Sequence, residues 1–247
     1  MGENKMGIAD LFRKTKTPPV CSAVVVAAGA SRRMGEDKTL MLLGGKPVLI
    51  RTLSAFEQCD SVEEIVVVTQ RDRIVEIADL CKKYSLSKVS KVIAGGATRS
   101  ESSLAGASEV KSDARLIAIH DGARPFITPE LITATVNAAS EHMAAAPALR
   151  STDTLKAVDD KGFIIGTVDR ETTVRIQTPQ VFSAELIKGG LTKAVTGNIA
   201  ITDDCLAMEM MGVKVFTVEG DESNIKLTTP KDVILAEAIL ADRGEKI

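Results

Sequence analysis

Residues 23–38 read Ala23-Val24-Val25-Val26-Ala27-Ala28-Gly29-Ala30-Ser31-Arg32-Arg33-Met34-Gly35-Glu36-Asp37-Lys38. The apolar run at positions 23–26 predicts a strand buried on both faces, as in a parallel sheet. Ala27, Ala28, Gly29, Ala30 and Ser31 follow, residues too small to keep a ligand from the main chain. Two arginines and a lysine arrive within the next seven positions. A loop of free N–H groups flanked by three positive charges suits a triphosphate. The same residues also fit an ordinary turn whose Arg and Lys face solvent. Two common phosphate loops are excluded: no Gly-Lys-Ser/Thr is present, and Ser31 stands where a dinucleotide fingerprint would place its second glycine.

Working outward, the chain alternates strand and helix patterns, which predicts an α/β fold. Leu49, Ile50, Leu53 and Phe56 recur at helical spacing after Pro47, which suits a first helical turn. Residues 65–68 read as the second strand, Ile74, Ile77, Ala78 and Cys81 as a helix, and residues 89–94 as a strand ending at Gly95-Gly96. Thr98 to Ser103 offer hydroxyls for a helix cap. Residues 116–120 read as the central strand, with Asp121-Gly122-Ala123-Arg124-Pro125 leaving its carboxyl end, where open α/β sheets bind ligands. A carboxylate there can orient a sugar hydroxyl or hold a cation; Arg124 can pair with phosphate or stay on the surface.

Thr128-Pro129-Glu130 opens a helix with His142 near its end. The pattern then changes between residues 149 and 176, where Asp159-Asp160-Lys161-Gly162 turns between two short strands, a hairpin inserted into the βα series. Such an arm cannot bury Phe163, Ile164 and Ile165 against its own body, so a second copy is the expected cover. A helix follows from Ala184, then one over residues 205–211 with a threonine cap expected at Thr202. Residues 213–218 read as a late strand, and Pro230 opens the last helix.

Composition narrows the partners. The formal net charge is −2 without a dense basic block, and the chain has no Trp and one Tyr. Both features argue against nucleic-acid binding. Cys21, Cys59, Cys81 and Cys205 lack pair spacing and form no metal set with His120 and His142, which suits a reducing compartment. No apolar stretch is long enough to span a bilayer. The expectation is a soluble cytoplasmic protein: a flexible extension over residues 1–19, then a single domain over residues 20–247 with residues 149–176 as its arm.

Ala27-Ala28-Gly29 with Arg33-Met34 and Lys38 resembles the signature of nucleotidyltransferases. Five later motifs narrow the resemblance to the 2-C-methyl-D-erythritol 4-phosphate cytidylyltransferase family: Asp121-Gly122-Ala123-Arg124-Pro125, Thr167-Val168-Asp169-Arg170, Thr178-Pro179-Gln180, Ile201-Thr202-Asp203-Asp204 and Asn224-Ile225-Lys226. The resemblance runs from Val20 to Leu240. It implies a Rossmann-like nucleotidyltransferase fold with a mostly parallel central sheet and a hairpin dimerisation arm in a homodimer. It also implies CMP transfer from CTP to the polyol phosphate, with release of diphosphate, in the non-mevalonate pathway to isoprenoid precursors. Ribitol 5-phosphate as acceptor, a nucleotide-binding regulator without turnover, and a purely structural dimer are the alternatives.

The implied roles are these. Arg33, Lys38 and Lys226 offset charge on the reacting phosphates. Ala27 to Ser31, Gly95, Gly96, Ser102 and Ala123 hold the nucleotide. Asp121, Arg124 and Thr202 position the acceptor, and Thr154 and Arg170 reach the partner's substrate phosphate. From the residues alone, Arg170 can equally pair with Asp169 or Glu171, and Lys226 can be an ordinary surface lysine. Mg2+ is the implied cofactor, held mainly by the triphosphate, with Asp203 a candidate ligand. Two positions depart from the family pattern: Ala97 stands where an acidic residue is usual, and Asp37 where proline usually precedes the lysine.

Overall fold

The computed structural model describes residues 21–29 and 38–245. The extension expected over residues 1–19, together with Ala30, Ser31 and Arg33, lies outside them. Twelve strands are described: β1 (Cys21–Val26), β2 (Leu42–Leu43), β3 (Lys46–Pro47), β4 (Glu64–Thr69), β5 (Val89–Ala94), β6 (Leu116–Asp121), β7 (Ala144–Arg150), β8 (Lys156–Val158), β9 (Ile164–Thr167), β10 (Val174–Ile176), β11 (Gln180–Ser183) and β12 (Phe216–Glu219).

β5, β4, β1 and β6 form a parallel run in that spatial order. The chain starts in the middle, winds outward to β5, then crosses back to place β6 on the other side of β1. That reversal is a topological switch point, and the crevice beyond the carboxyl ends of β1 and β6 is where such sheets bind ligands. Beyond β6 the sheet turns antiparallel through β11 to β7. β7 then takes β12 in parallel along one side and β10 along the side it shares with β11.

The valine-rich strands bury both faces. Ala23 and Val25 of β1 and Ile65 and Val67 of β4 pack on one side, with Leu49, Leu53 and Phe56 of the Val48–Gln58 helix and Ile132 and Val136 of the Pro129–His142 helix. Val24, Val66 and Val68 face the other side, with Ala107 of the Arg99–Glu109 helix and Ile187 and Leu191 of the Ala184–Thr196 helix. Alternate residues of a strand point to opposite faces, so an uninterrupted apolar run fills both layers. The Pro230–Asp242 helix packs Ala236 and Leu240 on Leu43, Val48 and Leu227, outside these layers. Its start is fixed by Asp232, whose carboxylate accepts the Thr228 and Thr229 N–H groups, each at 2.7 Å.

Three local expectations need correction. Pro47 pairs with Leu42 in a short hairpin and sits just before the helix rather than in its first turn, because the first helical N–H groups donate to the carbonyls of Met41 and Thr39. The cap of the Asp204–Glu209 helix is Asp203 rather than Thr202; the Asp203 carboxylate accepts from the Leu206 N–H at 3.1 Å, and Thr202 is exposed. The ends of the 149–176 insertion, Leu149, Arg150 and β10, pair within the main sheet. The hairpin proper is β8 with β9.

Candidate active site

Register brings the site together. Val26 pairs with Asp121, so the chains leaving β1 and β6 emerge side by side. Gly122 N–H donates to the Val26 carbonyl at 2.9 Å. A Cβ on Gly122 would lie 3.0 Å from Leu49 Cδ1, 3.1 Å from the Ala27 Cβ and 3.2 Å from the Val26 oxygen, so the close approach of these two turns favours glycine here. Two strands away, Gly95 N–H donates to the Thr69 carbonyl at 2.8 Å. A Cβ on Gly95 would press to 2.5 Å of the Ala28 Cβ and 2.6 Å of the Ser102 Oγ.

These turns enclose a cavity of about 260 Å³. Of the residues expected to serve the site, Ala27, Ala28, Gly29, Lys38, Gly96, Ser102, Asp121, Ala123 and Lys226 line it. Gly95 lies behind the wall as the close-packing residue. Arg124 stands behind Asp121 and lines a second hollow of about 260 Å³, together with Arg175 and Gln177; Lys226 borders both hollows. Thr154, Arg170 and Thr202 line neither. Thr154 is exposed, and Arg170 pairs loosely with Glu171 at 3.6 Å.

Asp121 is the electrostatic centre. Its Oδ2 meets Lys226 Nζ at 2.8 Å and Arg124 Nε at 3.6 Å, and its Oδ1 meets Arg99 Nε at 3.5 Å. Burial alone would raise this carboxyl, but Lys226, Arg99 and Arg124 outweigh it and hold it well below the usual carboxylate range. Lys226 is delivered by the segment 224–227: Asn224 Nδ2 donates to the Thr178 carbonyl at 2.9 Å, Arg124 Nη1 to the Asn224 carbonyl at 2.7 Å, and Leu227 N–H to the Ala123 carbonyl at 2.9 Å. The motifs 121–125, 178–180 and 224–226 therefore form one hydrogen-bonded unit.

Below Asp121, its own N–H donates to Thr178 Oγ1 at 3.1 Å. That hydroxyl also lies 3.0 Å from His120 Nδ1. On the other side of the ring Nε2 faces the Arg124 carbonyl at 3.5 Å, which can only accept, so the hydrogen of neutral His120 sits on Nε2 and the Thr178 hydroxyl donates to Nδ1. Burial in the core, edge-on to Phe56, pushes His120 down to about 3.

Sequence reasoning missed Arg99 and Asp204. Arg99 lines the cavity and links Asp121 to the fully buried Asp204, whose Oδ2 it meets at 2.6 Å. Their only sequence signal is an arginine just after a helix cap and an acid just inside another. Ser102, expected to read a base, spends its hydroxyl on the turn itself, accepting from Gly96 N–H and donating to the Thr98 carbonyl. Ala97 N–H donates to Glu101, so at this acid-free position the backbone is held by a neighbour's carboxylate.

A divalent cation in this cavity would meet one ionised carboxylate among the lining residues, Asp121, fewer oxygens than a protein cage supplies. Among the described residues no three His, Cys, Asp or Glu side chains gather as a metal site. Asp203 has both oxygens engaged, by Leu206 N–H and by Gln180 Nε2. Asp121 is the ionised carboxylate that faces the cavity.

A glycine turn, a charged rim and a switch-point cavity define an α/β protein built to hold a polyanion. The family model for 2-C-methyl-D-erythritol 4-phosphate cytidylyltransferase (IspD) matches residues 21–242. The protein of that name from Halalkalibacterium halodurans is 42% identical over 227 residues, covering 91% of this chain and 99% of that protein. The one from Clostridium botulinum (strain ATCC 19397 / Type A) is 40% identical over 221 residues, covering 89% and 96%. The crystal structure of 4-diphosphocytidyl-2C-methyl-D-erythritol synthase from Anaerococcus prevotii superposes with a TM-score of 0.81 at 33% identity, covering 91% and 97%. The chain belongs to the 2-C-methyl-D-erythritol 4-phosphate cytidylyltransferase family.

Proposed function

We propose that this chain transfers CMP from CTP to 2-C-methyl-D-erythritol 4-phosphate, forming 4-diphosphocytidyl-2-C-methyl-D-erythritol and diphosphate. The observation that carries this reading is Lys226: it borders both the glycine-lined cavity and the hollow of Arg124 and Arg175, where Glu222 pairs with Arg175, so one cation can serve an anion in either. An oxygen of the acceptor phosphate attacks the α-phosphorus of CTP as the bond to the diphosphate oxygen breaks. The attacking oxygen is already anionic at neutral pH, so the chain has no proton to remove. Its task is to bring two anions together and to steady the charge that develops at the α-phosphate and the leaving group.

Lys38 and Lys226, with Arg33, supply that positive charge. Asp121, held by its three cations, orients hydroxyl groups at the junction of the hollows. Mg2+ bound to the triphosphate would add Lewis-acid charge stabilisation, with Asp121 the protein carboxylate closest to hand.

The test is diphosphate release by the purified chain with Mg2+, comparing CTP with other nucleotides and 2-C-methyl-D-erythritol 4-phosphate with ribitol 5-phosphate. Fastest release with CTP and the erythritol is expected. Release with ribitol 5-phosphate alone would reassign the acceptor, and CTP binding with no release would favour a regulator.

We also infer a cytoplasmic homodimer. All four cysteines are buried and unpaired, as in a reducing compartment, and no described helix is long and apolar enough to cross a membrane. Phe163, Ile164 and Ile165 are about two-thirds exposed at the arm, a run of large apolar surface that favours cover by a second copy. That cover would bring Thr154 and Arg170 toward the partner's acceptor site. Replacing Phe163 and Ile165 by glutamate should convert the dimer to monomer in light-scattering mass measurements. A mass unchanged by both substitutions would place the dimer interface elsewhere.

A further inference from the structure

We propose that Asp204 is a positioning residue for the transfer reaction, acting through Arg99 to fix the orientation of Asp121. The inference rests on the function proposed above and deepens it. Asp204 does not line the cavity; its side chain is fully buried at the start of the Asp204–Glu209 helix, on the far side of Arg99. A buried carboxylate costs stability unless it is paired; the cation it meets is Arg99 at 2.6 Å, which opposes the upward push that burial gives the Asp204 carboxyl. Its backbone is fixed as well, because Gln180 Oε1 accepts the N–H groups of Asp204 and Cys205 at 2.9 and 3.1 Å. Gln180 belongs to β11, beside β6, so the anchor is tied to the strand that ends in Asp121.

The division of Asp121's oxygens gives the anchor its purpose. Lys226 and Arg124 share Oδ2, whereas the Oδ1 contact is Arg99. When phosphates draw Lys226 away, Oδ2 loses its closest partner. Arg99 must then keep the carboxylate from rotating, and it can do so only if it is not itself drawn onto the phosphates. Asp204, rigid and out of reach of the ligand, holds it back. The chain Asp204–Arg99–Asp121–Lys226 thus has a fixed end in the core and a movable end at the chemistry.

A double-mutant cycle tests this, with kcat/KM for diphosphate release measured for the wild type, Asp204→Asn, Asp121→Asn and the double variant, at enzyme concentrations high enough to follow slow turnover. Asp204→Asn is expected to lower kcat/KM about tenfold in the wild-type background and less than about twofold when Asp121 is already Asn, because contacts acting in one chain are non-additive. A purely structural role would give the same loss in both backgrounds. Arg99→Lys keeps the counter-charge for Asp204 but not the reach across two carboxylates. It should fold and repeat the pattern if Asp204→Asn melts below the assay temperature. Equal losses in both backgrounds, or no loss in the first, would overturn the inference while leaving the transferase reading intact. A wild type that releases no diphosphate from CTP would remove both.

Discussion

Replacing Lys226 by alanine is expected to lower kcat for cytidylyl transfer on the order of a hundredfold, equivalent to roughly 3 kcal/mol of transition-state stabilisation from one preorganised charge. The lysine stands at the border of two hollows, 2.8 Å from Asp121, and is placed by three hydrogen bonds that run between the 224–227 segment, Thr178 and the 123–124 turn. Those bonds use backbone atoms and the side chains of Asn224 and Arg124, so truncating the Lys226 side chain leaves the segment in position. Lys226 is 38% exposed but its partner Asp121 is only 11% exposed, so truncation removes part of the pairing that keeps this buried carboxylate ionised, while Arg99 and Arg124 stay on it. Steady-state kinetics should therefore show a large fall in kcat with a modest drop in melting temperature that leaves the protein folded at the assay temperature. Lys226→Arg, which keeps the charge, should recover part of the rate. Near-normal turnover in Lys226→Ala would mean that this lysine only neutralises Asp121 and never reaches the phosphates.

The parts of the site legible in the sequence were those whose chemistry is local. A small-residue turn after a valine strand, an acid at the carboxyl end of an apolar strand and a proline opening a helix each announce themselves within a few residues, because strand burial, close backbone approach and helix capping are short-range effects. Asp121 and Lys226 were legible as motifs, yet their 2.8 Å pairing depends on the hydrogen bonds that dock the 224–227 segment on the 123–124 turn. Arg99 and Asp204 were not legible. Each looks like an ordinary charge near a helix start, and only the sheet order that sets β6 and β11 side by side brings those two helix starts together behind Asp121.

Thr202 shows the converse. As the only hydroxyl ahead of that helix it was the natural cap from sequence, but the Asp203 carboxylate can accept the Leu206 N–H and the Gln180 amide at once, and takes the cap position. Ser102 was read as a ligand contact from the family resemblance, while the residues around it alone fit a helix cap. The turn made by Gly95 and Gly96 engages that hydroxyl once as acceptor and once as donor, which leaves it one acceptor site toward the cavity.

Acidification should destabilise the fold through His120 well before the carboxylates titrate. The imidazole is fully buried, its Nδ1 already accepts from Thr178, and burial pushes it down from the ordinary 6.5 to about 3. Between those values the unfolded chain binds a proton that the folded chain refuses. Stability therefore falls as the pH drops below 6.5, by about 1.4 kcal/mol per pH unit, and the loss is absent above that pH. Between pH 6.5 and 4.5 this amounts to roughly 3 kcal/mol, a large share of the 5–15 kcal/mol that holds a typical domain together.

Asp121 works in the same direction but lower. Its folded carboxyl is depressed, so its contribution is present above the unfolded value of 3.8 and is lost as the pH falls below it. Asp204, whose carboxyl burial pushes up, acts with the opposite sign as the pH falls, but it is common to wild type and His120→Gln, so the difference between those two proteins isolates the histidine. His120→Gln keeps an acceptor for the Thr178 hydroxyl and removes the titration. Urea unfolding of wild type and His120→Gln at half-unit steps should show the wild type losing its advantage steadily from pH 6.5 to 4.5. A difference between the two proteins that stays flat across that range would mean that His120 takes up its proton in the folded state, and that the Thr178 hydroxyl, free to turn, does not hold the Asp121 backbone in place.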